Sequence, residues 1–300
     1  MYGENIFLGD LMKITVLGCG NAFSKFNFNQ CFMLEEDGRR MLLDYGYQAP
    51  SSLAHAGIDI KSIDDIYISH LHADHIGGLE QIAFTRYDWV NRPRKWNDRL
   101  NENGRSYAPR LIGNVKLMED LWDRSLRGGL ESMEGFDAKL DTYFEPCPIQ
   151  ANQKFMWQGW GCDLIQQVHV MTGSVIMNTF GLILSKEGHK TMYFTTDSQH
   201  CSPKQVEVFY TKADMIFQDC EIVPIKMASG VHANYAQLAG HPEANSVRLS
   251  DEIKAKMWFS HYQDFYNKKE DFFGNAFDWD AQAEKDGFAG FLQLGQVFEI

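Results

Sequence analysis

The chain has 300 residues, 44% of them hydrophobic, which is enough to bury a large core in one or two domains. Its formal net charge of −12 argues against broad binding to nucleic acid or to an anionic membrane surface. No apolar run approaches the ~20 residues of a membrane-spanning helix, and the first residues predict no secretory signal.

The first part of the chain alternates between strand-like and helix-like segments. Short β-rich runs bounded by turn residues predict strands at residues 13–17, 31–34, 41–43 and 65–69. Apolar spacing predicts helices at residues 51–56 and 77–84. This order of elements is typical of an α/β layer protein.

Residues 86–110 have a different composition, with seven Arg or Lys against three acidic residues, four aromatic residues and two prolines. We interpret them as the start of an inserted lid or loop, of about residues 86–160, within a single domain that spans residues 1–300. Strand-like structure is expected to resume near Val115.

The second half has the same character as the first. Strands are predicted at residues 164–170, 176–184, 191–195, 213–217 and 255–260 and in the last residues, with a helix at 203–210. The predicted fold class is therefore α/β. Six scattered cysteines without a CxxC pair indicate reduced thiols and a cytoplasmic location, and neither a disulfide framework nor a zinc ribbon.

The segment of residues 69–78, SHLHADHIGG, holds three histidines and an aspartate between a predicted strand and a glycine-opened helix. Imidazole and carboxylate donors suit Zn²⁺ or a similar divalent metal. His70 and His72 lie on one side of the strand end and can share one ion, while Asp74 and His75 can turn toward a second. Without a cation, these groups would repel each other and lose solvation in one buried loop.

HLHADH matches the HxHxDH signature, so the chain resembles the metallo-β-lactamase superfamily. That resemblance implies a four-layer αβ/βα sandwich and two divalent ions, with zinc expected and manganese or iron as alternatives. It implies seven metal ligands, namely His70, His72, Asp74, His75, His169, Asp197 and His261. Asp197 would bridge the ions where zinc β-lactamases have a cysteine, so antibiotic hydrolysis is not expected. Cys201 is only four residues from Asp197, but it lies past the strand end, so Asp197 remains the expected bridging residue.

Other segments resemble the ribonuclease Z-like branch, namely GCGNAF at 18–23, LLDYG at 42–46, DCE at 219–221 and VHA at 231–233. The resemblance implies that His232 assists at a scissile phosphate and that Asp219 or Glu221 holds its imidazole. Asp44 would hold a metal-binding histidine in the same way. Solvation or capping is the alternative for these acids, and we prefer it for Glu221; a solvent-facing loop histidine is the alternative for His232.

The implied chemistry is hydrolysis of a phosphodiester. Two ions roughly 3.5–4 Å apart would hold a bridging hydroxide as the nucleophile. Asp74 would bind metal and orient the hydroxide, while His232 would stabilise the phosphoryl group or protonate the leaving oxygen.

The expected substrate is a nucleotide, either a small cyclic nucleotide or RNA. The sequence lacks the glycine-rich arm with which ribonuclease Z grips tRNA, and the net charge of −12 also favours a cyclic nucleotide, as in the phage anti-Pycsar nucleases. Residues 86–110 suit phosphate contacts and base stacking, or alternatively a packed hairpin or a dimer contact. We expect a homodimer and no membrane partner. Open alternatives are a lactone or thioester hydrolase, a tRNA 3′-end processing endonuclease and a metal-binding sensor without turnover.

Overall fold

A computed structural model of the chain describes residues 11–91, 108–150 and 153–300, and the side chains of residues 88–91 lie outside this description. The described residues form a mixed α/β structure with two seven-stranded sheets. None of the described helices is long and apolar enough to cross a membrane.

The strands follow one another through both halves of the chain. In chain order they are β1 (Lys13–Gly18), β2 (Cys31–Glu36), β3 (Arg39–Leu43), β4 (Asp65–Ile68), β5 (Arg110–Asn114), β6 (Ser132–Met133), β7 (Phe136–Asp137), β8 (Glu145–Ile149), β9 (Lys154–Trp157), β10 (Trp160–Met171), β11 (Ile176–Ser185), β12 (Met192–Thr196), β13 (Met215–Asp219), β14 (Met257–Ser260), β15 (Gly290–Phe291) and β16 (Val297–Glu299). The first sheet has the order β16-β1-β2-β3-β4-β5-β8, and the second has the order β15-β14-β13-β12-β11-β10-β9. β6 and β7 pair with each other.

The helices are short, apart from one of 13 residues. They are α1 (Ala49–His55), α2 (Ala73–Ile76), α3 (Leu79–Asn91), α4 (Val115–Leu121), α5 (Arg127–Leu130), α6 (Leu140–Tyr143), α7 (Pro203–Gln205), α8 (Tyr235–Ala239), α9 (Asp251–Lys254) and α10 (Trp279–Lys285). The predicted helix at residues 203–210 is α7 followed directly by a π-helical segment, Val206–Tyr210.

The first sheet is buried on both faces. In β4, Tyr67 lies in the core between the sheets, whereas Ile66 and Ile68 pack on the opposite face with apolar residues of α1 and α3. Alternate residues of a strand point to opposite faces, so this pattern is expected of a sheet between two layers. Between the sheets, the ring of Phe32 in β2 is 5.1 Å from that of Phe194 in β12.

Helices also cover the second sheet. The Tyr235 ring of α8 is 5.5 Å from the Phe259 ring of β14 and 5.5 Å from the Trp279 ring of α10. Two sheets face to face with helices outside each make four layers. The predicted αβ/βα fold class is confirmed.

The region predicted as an insertion contains strands of both sheets. β5 and β8 extend the first sheet and β9 extends the second, so only part of residues 86–160 lies outside the sheets. The expected strand near Val115 is wrong, because the strand ends at Asn114 and Val115 begins α4. The Asn114 side chain accepts a hydrogen bond from the Lys116 N–H and so caps this helix. Residues 92–107 lie outside the described residues.

The carboxyl ends of the parallel strands meet at one edge of the molecule. β3, β4 and β5 are parallel in the first sheet, and β12, β13 and β14 are parallel in the second. The Phe180 N–H donates to the Ser69 carbonyl (3.0 Å) and joins the two sheets just past β4. Loops that leave these strands therefore converge, as is general for ligand sites in α/β folds.

Candidate metal centre

The histidine-rich loop connects β4 to α2. His72 is extended and caps α2, and its carbonyl accepts the His75 N–H (2.9 Å), which places Asp74 and His75 in the first turn of the helix. Gly46 lies directly against this turn, because a Cβ atom there would be 1.8 Å from the Asp74 carbonyl oxygen. Only glycine allows this close approach.

Four of the predicted ligands meet at one point: His70, His72, His169 and Asp197. His72 Nδ1 is 3.1 Å from His70 Nε2 and 3.1 Å from His169 Nε2. Asp197 Oδ2 is 3.8 Å from His70 Nε2 and 3.7 Å from His169 Nε2. Three imidazole nitrogens and one carboxylate oxygen at these spacings suit a tetrahedral zinc ion.

Asp74, His75, His261 and the same Asp197 form a second group, and all four are buried. His75 Nε2 is 3.2 Å from Asp74 Oδ2 and 3.1 Å from Asp197 Oδ1. His261 Nε2 is 3.4 Å from Asp74 Oδ2 and 3.3 Å from Asp197 Oδ2. The structure therefore brings all seven predicted ligands together, with Asp197 common to both groups.

Two buried atoms at the centre, His75 Nε2 and Asp197 Oδ1, have no hydrogen-bond partner. Buried polar atoms without a partner are costly and therefore rare in folded proteins. With His75 neutral and its Nδ1–H directed to Asp44, each of these atoms carries a lone pair that a cation between them would accept. The residues present thus fit a divalent metal ion.

The protonation states of the imidazoles also suit a metal. Burial, helped by the neighbouring His75, holds the pKa of His70 well below its usual value, and burial lowers the pKa of His72 and His169 as well. The neutral imidazole is the form that binds metal. Burial would lower the pKa of His75 too, but nearby carboxylates, above all Asp197, raise it well above the usual value. The carboxylates of the second group thus favour positive charge at this position, either a proton on His75 or a metal ion that replaces that proton.

Asp44 positions two of the histidines. Its Oδ1 accepts the Ser69 N–H (2.8 Å), and its Oδ2 accepts the Ser69 hydroxyl (2.7 Å) and lies 2.7 Å from His75 Nδ1. His70 Nδ1 is 3.0 Å from the same hydroxyl oxygen. Each ring therefore keeps Nε2 for the centre, which is the usual effect of an acid that holds a metal-binding histidine.

Asp44→Asn is expected to weaken metal binding by about 10- to 100-fold, as is typical when such a supporting acid is lost. The amide keeps the size of the side chain but not its charge. Competition with a chelating indicator dye measures the affinity, and Asp137→Asn in the exposed β7 serves as the control. Equal affinity in both variants would contradict the role of Asp44.

His232 lies at the rim of the centre. Its ring stacks on that of His261 with centroids 4.6 Å apart, and its side chain is 17% exposed against 2% for His261. Its Nδ1 is 2.8 Å from Asp219 Oδ2. Burial would lower the pKa of His232, but the Asp219 carboxylate raises it to about 9. The Asp219 carboxylate thus favours the protonated form of this imidazole at the rim.

Of the two acids expected to hold His232, Asp219 is the one that lies within hydrogen-bond distance of its ring. Asp219 Oδ2 also accepts the Ser198 N–H (2.8 Å), and Oδ1 is 3.5 Å from His261 Nδ1. Glu221 is buried and accepts the Ser229 N–H (2.9 Å) instead. Glu221 thus caps a turn, in line with the preferred interpretation.

The backbone is irregular where it carries these residues. The β10–β11 register shifts at His169, and the β12–β13 register shifts just before Thr196. Asp44, Thr196 and His261 have positive φ angles of 64°, 54° and 62°. Bulges redirect side chains, and each such φ costs about 1–3 kcal/mol, so strain collects at this site.

Cys201, Arg110 and Arg86 are not among the residues clustered at the metal centre. Cys201 is buried and belongs to neither four-residue group. Arg110, at the end of the basic segment, pairs with Asp65 (Nε to Oδ1, 2.6 Å), and Arg86 donates to the Lys61 carbonyl. Both arginines therefore make contacts within the fold.

Sequence reasoning missed two partners of the histidines. Ser69 directly precedes the motif and follows a buried strand, and this position was the available signal. The Val231 carbonyl lies 2.9 Å from His169 Nδ1. A backbone carbonyl can belong to any residue type, so no sequence signal could have identified it.

Comparisons with known proteins agree with this geometry. A family model described as "Anti-Pycsar protein Apyc1" matches residues 12–298. Anti-Pycsar protein Apyc1 of Bacillus phage vB_BveM-Goe7 is 28% identical over 261 residues, which cover 85% of this chain and 90% of the relative. The protein of the same name from Paenibacillus xerothermodurans is 27% identical over 293 residues, which cover 96% and 98%.

Solved structures with low sequence identity share the fold. The metallo-β-lactamase-fold protein YhfI from Bacillus subtilis is similar with a TM-score of 0.66 at 17% identity, over 97% of this chain and all of that one. Zn²⁺-bound PqqB from Methylobacterium extorquens gives a TM-score of 0.63 at 13% identity, over 96% and 100%. The short form of human tRNase Z gives 0.59 at 14% identity, over 96% and 99%. The chain therefore has the metallo-β-lactamase fold and belongs to the anti-Pycsar protein Apyc1 family.

Proposed function

We propose that this hydrolase cleaves a cyclic nucleotide phosphodiester with the help of two divalent metal ions. The observation that carries the proposal is the pair of four-residue groups that share Asp197. Membership in a family whose proteins degrade cyclic nucleotides supports the substrate class. Zinc is the proposed metal, supported by the donor set and by the Zn²⁺-bound neighbour, with manganese or iron as alternatives.

Seven side chains would hold the ions. One ion would lie among His70, His72 and His169, the other among Asp74, His75 and His261, with Asp197 beside both. When bound, such a pair supplies an acidified water as nucleophile and stabilises negative charge on the phosphoryl oxygens.

The remaining steps belong to the protein. Asp74 would orient the attacking water with its carboxylate. His232, protonated and held by Asp219, would stabilise the phosphoryl group or give its proton to the leaving ribose oxygen. Asp44 would hold the ring of His75 directly and the ring of His70 through the Ser69 hydroxyl.

We also propose a homodimer in the cytoplasm, built from one domain per chain. Six free cysteines support a reducing compartment. Analytical ultracentrifugation tests the dimer.

An activity screen tests the function. Metal-loaded protein is incubated with 3′,5′- and 2′,3′-cyclic nucleotides, a tRNA precursor, and a panel of lactones and thioesters. We expect a cyclic nucleotide to be opened to the nucleoside monophosphate, detected by ion-exchange chromatography, with the tRNA left intact. An Asp197→Asn preparation controls for contaminating enzymes. Turnover confined to lactones or thioesters would reject the proposal.

A further inference from the structure

Three exposed aromatic side chains belong to segments that contact the segments of the metal-site residues. Phe23 is 85% exposed, Phe26 is 55% exposed and Tyr47 is 48% exposed. We call these three residues the aromatic rim. Large apolar side chains grouped on a surface mark binding sites. No step proposed above uses them.

The loop that carries Phe23 and Phe26 is held by polar contacts. Asp264 accepts the Ser24 hydroxyl (2.6 Å) and the Lys25 N–H (2.7 Å) through its two oxygens. The Gln48 side chain donates to the Ser24 carbonyl (2.8 Å). The backbone is therefore fixed while the two rings stay in solvent, and a fixed backbone reduces the conformational entropy that is lost when a ligand binds.

One end of this loop borders the second group of metal-site residues. The His261 N–H donates to the Cys19 carbonyl (2.7 Å), and the Asn21 N–H donates to the Tyr262 carbonyl (3.2 Å). The chain thus runs from a direct contact with His261 to Phe23 within four residues.

Tyr47 connects the segment that carries Asp74 with the segment that carries Phe23. Its N–H donates to the carbonyl of Ala73, the residue before Asp74 (3.2 Å), and its hydroxyl donates to the carbonyl of Ala22, the residue before Phe23. The aromatic rim therefore spans the segments that carry His261 and Asp74.

We propose that the aromatic rim stacks the nucleobase of a cyclic nucleotide whose phosphodiester lies at the metal centre. This inference rests on the proposed function and adds the binding site of the base. Stacking on aromatic rings contributes about 1–3 kcal/mol per base and tolerates different bases, because every base has a flat face. Purines present the larger face and bind more tightly at such a site.

The test compares two substrates in Phe23→Ala. One is a 3′,5′-cyclic purine nucleotide, and the other is the 3′,5′-cyclic phosphate of 1-O-methylribose, which has no base. The expected result is a KM about tenfold higher for the nucleotide, a kcat within about twofold of wild type, and unchanged kinetics on the base-free substrate. Phe23→Trp is expected to keep the wild-type KM, since it keeps the flat ring.

Phe273→Ala is the matched control, because Phe273 is also exposed (70%) but lines an apolar cavity of about 870 Å³ with Ile222 and Trp279. Its kinetics are expected to equal those of wild type. An unchanged KM in Phe23→Ala, or an equal rise for both substrates, overturns the inference. A loss that follows conversion of dimer to monomer in the ultracentrifuge would instead make the rim a contact between two copies.

Failure of the proposed function gives a different pattern. In that case, wild type hydrolyses neither cyclic substrate. Calorimetric binding of a nucleoside 5′-monophosphate to wild type and to Phe23→Ala then decides the inference alone. About tenfold weaker binding in the variant supports the stacking site, and equal binding rejects it.

Discussion

Asp197→Ala is expected to bind at most one metal ion per chain and to lose at least about 10³-fold in kcat/KM on a cyclic nucleotide. Asp197 is the residue common to both groups, with its oxygens 3.1 Å from His75 Nε2 and 3.3 Å from His261 Nε2. Its loss removes negative charge from both ion positions. Metal stabilisation of the transition state amounts to several kcal/mol, and each 1.36 kcal/mol is a factor of ten in rate.

Metal content by mass spectrometry and steady-state kinetics measure the two effects together. Asp197→Asn keeps the volume and one oxygen, so it separates loss of charge from loss of packing. Circular dichroism with chelator present shows whether each variant is folded. Two bound ions with wild-type turnover in the alanine variant would contradict the assignment of Asp197.

His232→Ala is expected to keep its metal but to lose about 10²- to 10⁴-fold in kcat, which is the usual contribution of a general acid. His232 lies outside the two four-residue groups that contain the predicted ligands. It belongs to a third group with His261, Asp197 and Asp219, in which its ring is the more exposed of the two. Its contact with Asp219 holds the proton on the ring.

Two substrates with different leaving groups distinguish the two roles considered for His232, proton donation and phosphoryl stabilisation. The leaving ribose oxygen of a cyclic nucleotide needs a proton, whereas the p-nitrophenolate of bis(p-nitrophenyl) phosphate needs little help. A general acid predicts a much larger loss on the cyclic nucleotide, and phosphoryl stabilisation predicts equal losses. His241→Ala, on an exposed loop, is the control. An unchanged kcat on both substrates would remove His232 from the mechanism.

The sequence predicted the seven clustered residues because their signals are local and ordered. HLHADH packs four donors into one strand-to-helix loop, Asp197 and His261 directly follow β12 and β14, and His169 lies two residues before the end of β10. Parallel strands bring such ends to one edge. The choice between Asp219 and Glu221 needed the structure, because the two acids lie only two residues apart at the end of β13.

Elements with weak or mixed signals were predicted less well. The strand expected near Val115 is a helix, and a cap at Asn114 followed by apolar residues at 117, 118 and 121 was the signal for it. The bulge at His169 and the positive φ of His261 depend on packing between distant segments. Such features are set by tertiary contacts, so no local pattern predicts them.

Anomalous diffraction from crystals of the metal-loaded protein tests the two-ion centre most directly. The expected map has two peaks per chain, one among His70, His72 and His169 and the other among Asp74, His75 and His261, with Asp197 beside both. A single peak, no peak after loading, or His169 and His261 turned away from the metal would contradict the two-ion centre.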